Sequence, residues 1–560
     1  MKPDLKLRHG GRILVDALAG HGVRIAFGVP GESYLALLDG MLDVKDKLSF
    51  IVCRQEGGAS YMAEAYGKLT GEPGVLLVTR GPGATNGSIG VHTGFQDSTP
   101  MVVFIGQVGN DMADREAFQE IDYRRMYGQM AKWVAQIDRV DRIPEYVSHA
   151  FHTATAGRPG PVVLALPEDM LFSQAAVADV AKHHVVRPAA SASDISKLKN
   201  LLEKAQRPFV IVGGGGWDRD ACGKLKRWIE AEGLPAGTSF RCQDLFDNRS
   251  PNYAGDVGIG INPKLAQRVK DADVLLVVGA RLGEMTSSAY TLLEVPQPRQ
   301  TLIHVHAGAE ELGRVYRPAL AINSGYPQFV EVLEKISFKN SSWKGETARA
   351  RAEYLEWVEP RPMPGKLQYG EIIRWLSGHL PEDAIIAGGA GNFAGWLHRH
   401  FTYKGFRTQL GPTNGSMGYG YPAAVAAKLA APGRTVLGVC GDGDFLMNGQ
   451  ELATAVQYGA NFVALVVNNS LYGTIRMHQE REYPGRVFGT DLHNPDFAAY
   501  ARAFGAHGET VERTEDFAAA FERAGKSGKP ALIELRIDPD AITPSTTLSA
   551  VREKALQSGR

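Results

Sequence analysis

Cysteine is scarce. The four in 560 residues, Cys53, Cys222, Cys242 and Cys440, form no C-x-x-C spacing, which leaves no material for a disulfide framework or a cysteine-built zinc site and fits a reducing compartment. An excess of either charge is also missing. Lys plus Arg and Asp plus Glu number 61 each, so no net field draws the chain to nucleic acid or to an anionic membrane, and an anionic ligand has to be held by local groups. Long apolar runs are absent too. The opening stretch, MKPDLKLRHGGRILVDALAGHG, is broken by charge and glycine before a signal peptide or a transmembrane helix can develop, and a cytoplasmic protein is expected. No short solenoid-type repeat is present.

What is present is ample apolar material, 44% of the residues against 22% charged, in a chain too long for one core. Short β-branched runs alternate with helix-like periodic segments: LSFIVCR, GVLLVTR, MVVFIGQV and PVVLALP first, then PFVIVGGGG, DVLLVVGARLG and TLIHVHAG, and finally AIIAGGAGN, RTVLGVCGDGD, FVALVVNNS and ALIELRI. That alternation predicts an α/β chain of three doubly wound parallel-sheet domains. The aperiodic stretch at 173–192 reads as a linker, and the polar, then proline-rich stretch at 338–366 separates the second domain from the third. The expected domains are 1–175, 190–340 and 365–545.

The chemistry concentrates between Arg434 and Thr474. The strand TVLGVC delivers Gly441-Asp442-Gly443-Asp444 at its C-terminal end, and FVALVV delivers Asn468-Asn469 to the same sheet edge, where ligands of open parallel sheets bind. Mg²⁺ takes hard oxygen ligands and is usually shared between one or two protein oxygens, phosphate oxygens and water. Asp442 and Asn469 supply such oxygens, and the glycine-flanked turns offer backbone carbonyls and N–H groups. G-D-G alone is a turn and N-N alone a strand cap. Together, with 24 residues between them in a strand–helix–strand context, they have the spacing of the thiamine-diphosphate signature.

With that segment in place, the chain resembles the acetolactate synthase-like branch of the thiamine-diphosphate decarboxylases and carboligases. The stretches FGVPGESYLALLDGM, RQEGGASYMAEAYGKLTG, TRGPGATNGSIGVHTGFQDSTPMVVFIGQV, AGRPGPVVLALPEDM and GSMGYGYPAAVAAKLAAPGRTV carry the resemblance along nearly the whole chain. It implies an N-terminal pyrimidine domain, a central domain and a C-terminal diphosphate domain, with thiamine diphosphate and Mg²⁺ as cofactors. Asp442, Asn469 and Leu471 fall on the metal-binding positions. Glu56 falls on the catalytic glutamate, whose carboxyl pairs with the pyrimidine N1′ and favours the imino tautomer that takes the cofactor's C2 proton. Met417 matches the wedge that bends the cofactor and brings its base near C2. Gly415 matches the aminopyrimidine edge, and Asn392, Gly443, Asp444, Gly473 and Thr474 match the diphosphate contacts. Pro30, Pro82, Asn86 and Gln107 match pocket positions of the pyrimidine domain. The family completes each site from two subunits, so a homodimer or homotetramer is implied.

The departures concern the substrate. Glu32 stands where the synthases carry a small residue, and the related pyruvate decarboxylases place an acidic residue that faces the reacting carbon; their His-His pair has no match here. His478 stands near the position of the tryptophan that selects the acceptor in acetolactate synthases, and His92 is a second histidine of interest. FAD is a further candidate cofactor, but the central GGGGW has no complete dinucleotide fingerprint after it. The implied activity is cleavage or formation of a C–C bond next to a carbonyl, with a 2-oxoacid such as pyruvate decarboxylated and joined to an acceptor. The alternatives are a 2-hydroxyacyl-CoA lyase or oxalyl-CoA decarboxylase-like enzyme, a simple 2-oxoacid decarboxylase, and a non-catalytic paralogue.

Overall fold

The structure, a computed structural model, describes residues 5–339 and 342–558. The β-branched runs do form strands, because a strand buried on both faces is the conformation that hides a continuous apolar stretch while pairing its backbone. In chain order the strands are β1 Leu7–His9, β2 Ile25–Gly28, β3 Ser49–Val52, β4 Gly74–Val78, β5 Met101–Gln107, β6 Trp133–Gln136, β7 Pro161–Pro167 and β8 Gln174–Ala176. They continue with β9 Pro208–Val212, β10 Ala236–Ser239, β11 Tyr253–Val257, β12 Val274–Val278, β13 Thr301–His306 and β14 Leu320–Asn323. The last set is β15 Ile385–Gly388, β16 Gln409–Leu410, β17 Val436–Gly441, β18 Val463–Asn468, β19 His507–Val511 and β20 Ala531–Arg536.

Three six-stranded parallel sheets result, with helices on their faces, as the alternation predicted. The first runs β3-β2-β4-β5-β7-β6 and the third runs β16-β15-β17-β18-β20-β19. Renumbered from its own first strand, each of these two sheets has the order 2-1-3-4-6-5. The central sheet differs: β11-β10-β9-β12-β13-β14 is the order 3-2-1-4-5-6. Each sheet lies over its own apolar core. Leu14, Leu37, Phe104 and Phe151 anchor one, Trp228, Tyr326 and Trp343 another, and Ile373, Trp396 and Leu465 the third.

By contacts the chain falls into two compact units. The first takes the chain through Val186 together with Val425–Pro432 and Asn448–Ala460, and the second takes the remainder. Two stretches differ from the linkers that the sequence predicts. Residues 174–176 form β8, paired antiparallel with β1, a strand too short and too exposed to show an apolar period. Residues 344–357 form a helix, Lys344–Trp357, whose buried positions are only Thr347, Ala350 and Tyr354. Ala350 and Tyr354 pack into the cores of the central sheet, so that sheet's packing continues past residue 340.

Candidate active site

In the second unit the C-terminal ends of β17 and β18 lie side by side. Asp442 follows β17 and is 4% exposed. Its carboxylate is held by three donors: the Gly443 N–H to Oδ1 at 2.9 Å, and the Ser470 N–H and Asn494 Nδ2 to Oδ2, each at 2.8 Å. Burial pushes its pKa up while these donors pull it down. Asn469 follows β18, with its Oδ1 accepting from the Leu471 N–H at 3.2 Å. An isolated bridge joins Leu471 to Asp491 through the carbonyls of Ser470 and Thr490, so the Leu471 carbonyl is outside it. Among the described residues no three His, Cys, Asp or Glu side chains gather as a metal cluster. A cation here would be held by one carboxylate, one amide and backbone oxygen, a sparse hard set that suits Mg²⁺ shared with phosphate.

The surroundings suit a diphosphate. The helix Gly473–Glu482 begins without a side-chain cap and without an acidic residue in its first turn, which leaves its N–H groups for an anion. Thr474 Oγ1 donates to Asn392 Oδ1 at 2.9 Å, joining two of the expected contacts. A Cβ on Gly443 would stand 2.6 Å from the Tyr472 ring, which would have to shift, and one on Gly473 would sit tightly, 3.0 Å from Ile542 Cδ1 and 3.2 Å from Asn469 Nδ2. The Asp444 carboxylate is engaged by backbone. It is buried, its Oδ1 accepts from the N–H groups of Gly418 at 2.7 Å and Ala390 at 3.3 Å, and burial raises its pKa to about 6. Those bonds tie the loop of Gly415 and Met417 to the end of β15. Gly415 is exposed at φ +70°, Met417 is half-buried, and His478 lies exposed beside Arg481.

In the first unit Glu56 is the first residue of the helix Glu56–Thr70, where the dipole favours a carboxylate. Asn86 Nδ2 donates to its Oε2 at 2.9 Å, which orients the carboxyl and leaves Oε1 without a donor among the described residues. Pro82 lies in the first turn of the helix Gly81–Asp97, and the exposed Pro30 follows β2. Gln107 uses its amide on the backbone, donating to the Ile121 carbonyl and accepting from the Val108 N–H, each at 3.0 Å. Glu32, largely exposed, stands 3.7 Å from Arg80, which also bonds Glu168 at 2.8 Å. His92 is exposed on the Gly81–Asp97 helix. Sequence reasoning missed Arg80, Glu168 and Asn494. Asn494 had only a turn signal, Asn-Pro, to mark it.

At the switch point of the central sheet the residues do not fit a dinucleotide's diphosphate. The helix after β9, Arg219–Glu232, is capped by the carboxylate of Asp218, which accepts from the Ala221 N–H at 2.8 Å where an anion would sit. Trp217, buried and stacked on Tyr326, occupies the turn, and Gly214 packs against the Gly279 carbonyl with no room for a Cβ.

Two sheets of one strand order, one offering a carboxyl oriented by an amide and the other a carboxylate–amide pair below an uncapped helix, define a thiamine diphosphate enzyme. Comparison with known proteins agrees along the chain. Residues 8–126, 195–333 and 389–535 match family models described as the N-terminal TPP binding domain, the central domain and the C-terminal TPP binding domain of thiamine pyrophosphate enzymes. The chain is 30% identical over 538 residues to the acetolactate synthase isozyme 2 large subunit of Escherichia coli (strain K12), covering 95% of this chain and 96% of that one. It is 31% identical over 552 residues to the acetolactate synthase large subunit of Parasynechococcus marenigrum, covering 94% and 87%. It is 29% identical over 545 residues to an acetolactate synthase of Bacillus subtilis, covering 94% and 93%. The chain belongs to the acetolactate synthase-like family of thiamine pyrophosphate-dependent enzymes. No helix among its described residues is long and apolar enough to cross a membrane.

Proposed function

We propose that the enzyme is Mg²⁺-dependent, decarboxylates a 2-oxoacid such as pyruvate and joins the remaining fragment to a second carbonyl compound, with Asp442, Asn469 and the Leu471 carbonyl as metal ligands. The observation that carries this reading is the Asp442 carboxylate, buried and held by three donors beside Asn469. When bound, thiamine diphosphate supplies an electron sink for the bond beside the carbonyl. The protein's share is binding, orientation and proton placement. Glu56, its Oε2 fixed by Asn86, presents Oε1 to the pyrimidine edge as the proton-relay carboxyl, in a pocket that includes Pro30, Pro82 and Gln107. Gly443, Asp444, Gly473, Thr474 and Asn392 receive the diphosphate, the Asp444 carboxylate also braces the loop that carries Gly415, and Met417 supports the bent cofactor.

Glu32 and His478 are proposed to act at the substrate end, with Glu32 held in its ion pair by Arg80. The domains proposed are 1–175, 190–340 with the helix Lys344–Trp357 packed onto it, and 365–545, in a cytoplasmic homodimer or homotetramer. FAD is not part of the proposal, because Asp218 and Trp217 occupy the central switch point. The test is product analysis with pyruvate, with and without metal chelation. Acetolactate formed only with thiamine diphosphate and Mg²⁺ is the expected result. Acetaldehyde alone would make the enzyme a simple decarboxylase, and full turnover after chelation would overturn the metal assignment.

A further inference from the structure

A second carboxylate grips the turn that leads into Glu56. Glu451 is fully buried and makes no ion pair among the described residues. Its Oε1 accepts from the backbone N–H groups of Arg54 and Gln55, both at 3.0 Å, and its Oε2 accepts from Thr454 Oγ1 at 2.5 Å, with the Arg54 N–H also 3.3 Å away as a longer second contact. Gln55 then caps the Glu56 helix, its Oε1 accepting from the N–H groups of Gly57 at 2.5 Å and Gly58 at 3.1 Å. Gly58 is packed on the same carboxylate, since a Cβ there would come within 2.8 Å of Glu451 Cγ and Oε1. Seven residues on, Tyr458 Oη accepts from the Val52 N–H at 2.8 Å and donates to the Phe50 carbonyl at 3.3 Å, so the edge strand β3 is clamped as well. The residues from Phe50 to Gln55 are therefore held from outside their own sheet, immediately before the chain turns into the helix that begins with Glu56.

We propose that Glu451 is a positioning residue: by holding two consecutive N–H groups it sets the direction in which the backbone delivers Glu56. The inference rests on the reading of Glu56 as the proton-relay carboxyl. It is a role of shape rather than charge. A glutamine would offer the same Oε1 to both N–H groups and turn its NH₂ toward Thr454 Oγ1, whereas an aspartate withdraws the oxygens by about 1.5 Å, one C–C bond. Backbone donors that lose their acceptor become free to exchange or to move.

Two measurements test it. In the apoprotein, amide hydrogen exchange of the peptide spanning residues 51–57 is expected to rise at least tenfold in Glu451→Asp and in Gly58→Ala, whose methyl group displaces the same carboxylate, and to stay within threefold in Glu451→Gln. In the enzyme loaded with thiamine diphosphate and Mg²⁺, the C2 proton-exchange rate at saturation is expected to fall at least tenfold in the first two variants and stay within threefold in the third. The cofactor Kd should be unchanged within threefold in all of them. Amide and C2 exchange within twofold of the parent in Gly58→Ala and in any folded Glu451→Asp would overturn the inference, as would a Glu451→Gln loss equal to that of Glu451→Asp. Glu56→Gln is measured alongside. If it keeps the full C2 exchange rate, the Glu56 reading itself fails; if it slows while Glu451→Asp does not, only the positioning role fails.

Discussion

Asn494→Ala is the sharpest probe of the proposed metal site, because Asn494 reaches the metal-side carboxylate without being a ligand. One of its Nδ2 protons goes to Asp442 Oδ2 at 2.8 Å and the other to Asn468 Oδ1 at 3.0 Å. Asn468 is itself braced, its Nδ2 donating to the buried Glu534 at 2.7 Å. Removing Asn494 takes away one hydrogen bond to a charged group, about 1.5–3 kcal/mol, while the Ser470 and Gly443 N–H groups still hold Asp442. Loss of such a supporting partner typically weakens metal binding about 10- to 100-fold, equal to about 1.4–2.7 kcal/mol. The effect has a direction in pH. Burial already raises the Asp442 pKa and the Asn494 N–H lowers it, so its loss lets the proton compete with the cation to higher pH, and the affinity gap widens as pH falls. Mn²⁺ titration followed by electron paramagnetic resonance, at saturating thiamine diphosphate, reads the constant directly. A folded Asn494→Ala protein whose Mn²⁺ Kd lies within threefold of the parent would refute the reasoning.

Two further predictions concern stability. Gly74 opens β4 where the Glu56–Thr70 helix crosses it, and a Cβ there would run into the Ala63 carbonyl; backbone cannot rotate aside, so Gly74→Ala is expected to cost about 3 kcal/mol and to lower the urea midpoint, and an unchanged midpoint would contradict it. His304, buried in β13 with Nε2 on the Ala280 carbonyl, has its pKa lowered to about 4, chiefly by burial. Below pH 6.5 the unfolded chain binds a proton that the folded one refuses, so its contribution is present above that pH and falls by about 3 kcal/mol as pH drops from 6.5 to 4. His304→Gln should flatten the pH dependence of urea unfolding across that window, and an unaltered slope would count against the assignment.

The strands were legible because each is a compact β-branched run ending in glycine or turn chemistry, as in GVLLVTRG and TVLGVCGDG. The nine that no such run announced, β1, β2, β6, β8, β10, β11, β14, β16 and β19, are short or mixed: AGTS in β10 and QL in β16 carry too few apolar side chains to show a period. Their pairing partners decide them. Asp442 and Asn469 were legible as candidates because each directly follows its strand, and Glu56 because it lies in RQEGGASYMAEAYGKLTG, one of the stretches that carry the resemblance. Asn494, Glu451 and Arg80 were not, because their importance lies in which backbone atom or carboxylate they meet, and the separations involved, 52 residues for Asn494 to Asp442 and 397 for Glu451 to Arg54, leave no local pattern.

The shared strand order of the first and third sheets explains why the candidate residues fall where they do. In the first sheet Glu32 follows the first strand, Glu56 the second and Arg80 the third, while Gln107 ends the fourth. In the third sheet Asn392 follows the first strand, Met417 the second, Asp442 the third and Asn469 the fourth. In both sheets these four strands surround the point where the order reverses, the edge at which neighbouring loops splay apart and leave room for a ligand. From the last two strands of each sheet a carboxylate reaches back as a support. Glu168, after β7, fixes Arg80 at 2.8 Å, and Glu534, within β20, fixes Asn468 at 2.7 Å. One frame thus carries two sets of candidate residues: those proposed to bind stand at the first four strand ends, and a carboxylate from the last two holds a neighbour in place.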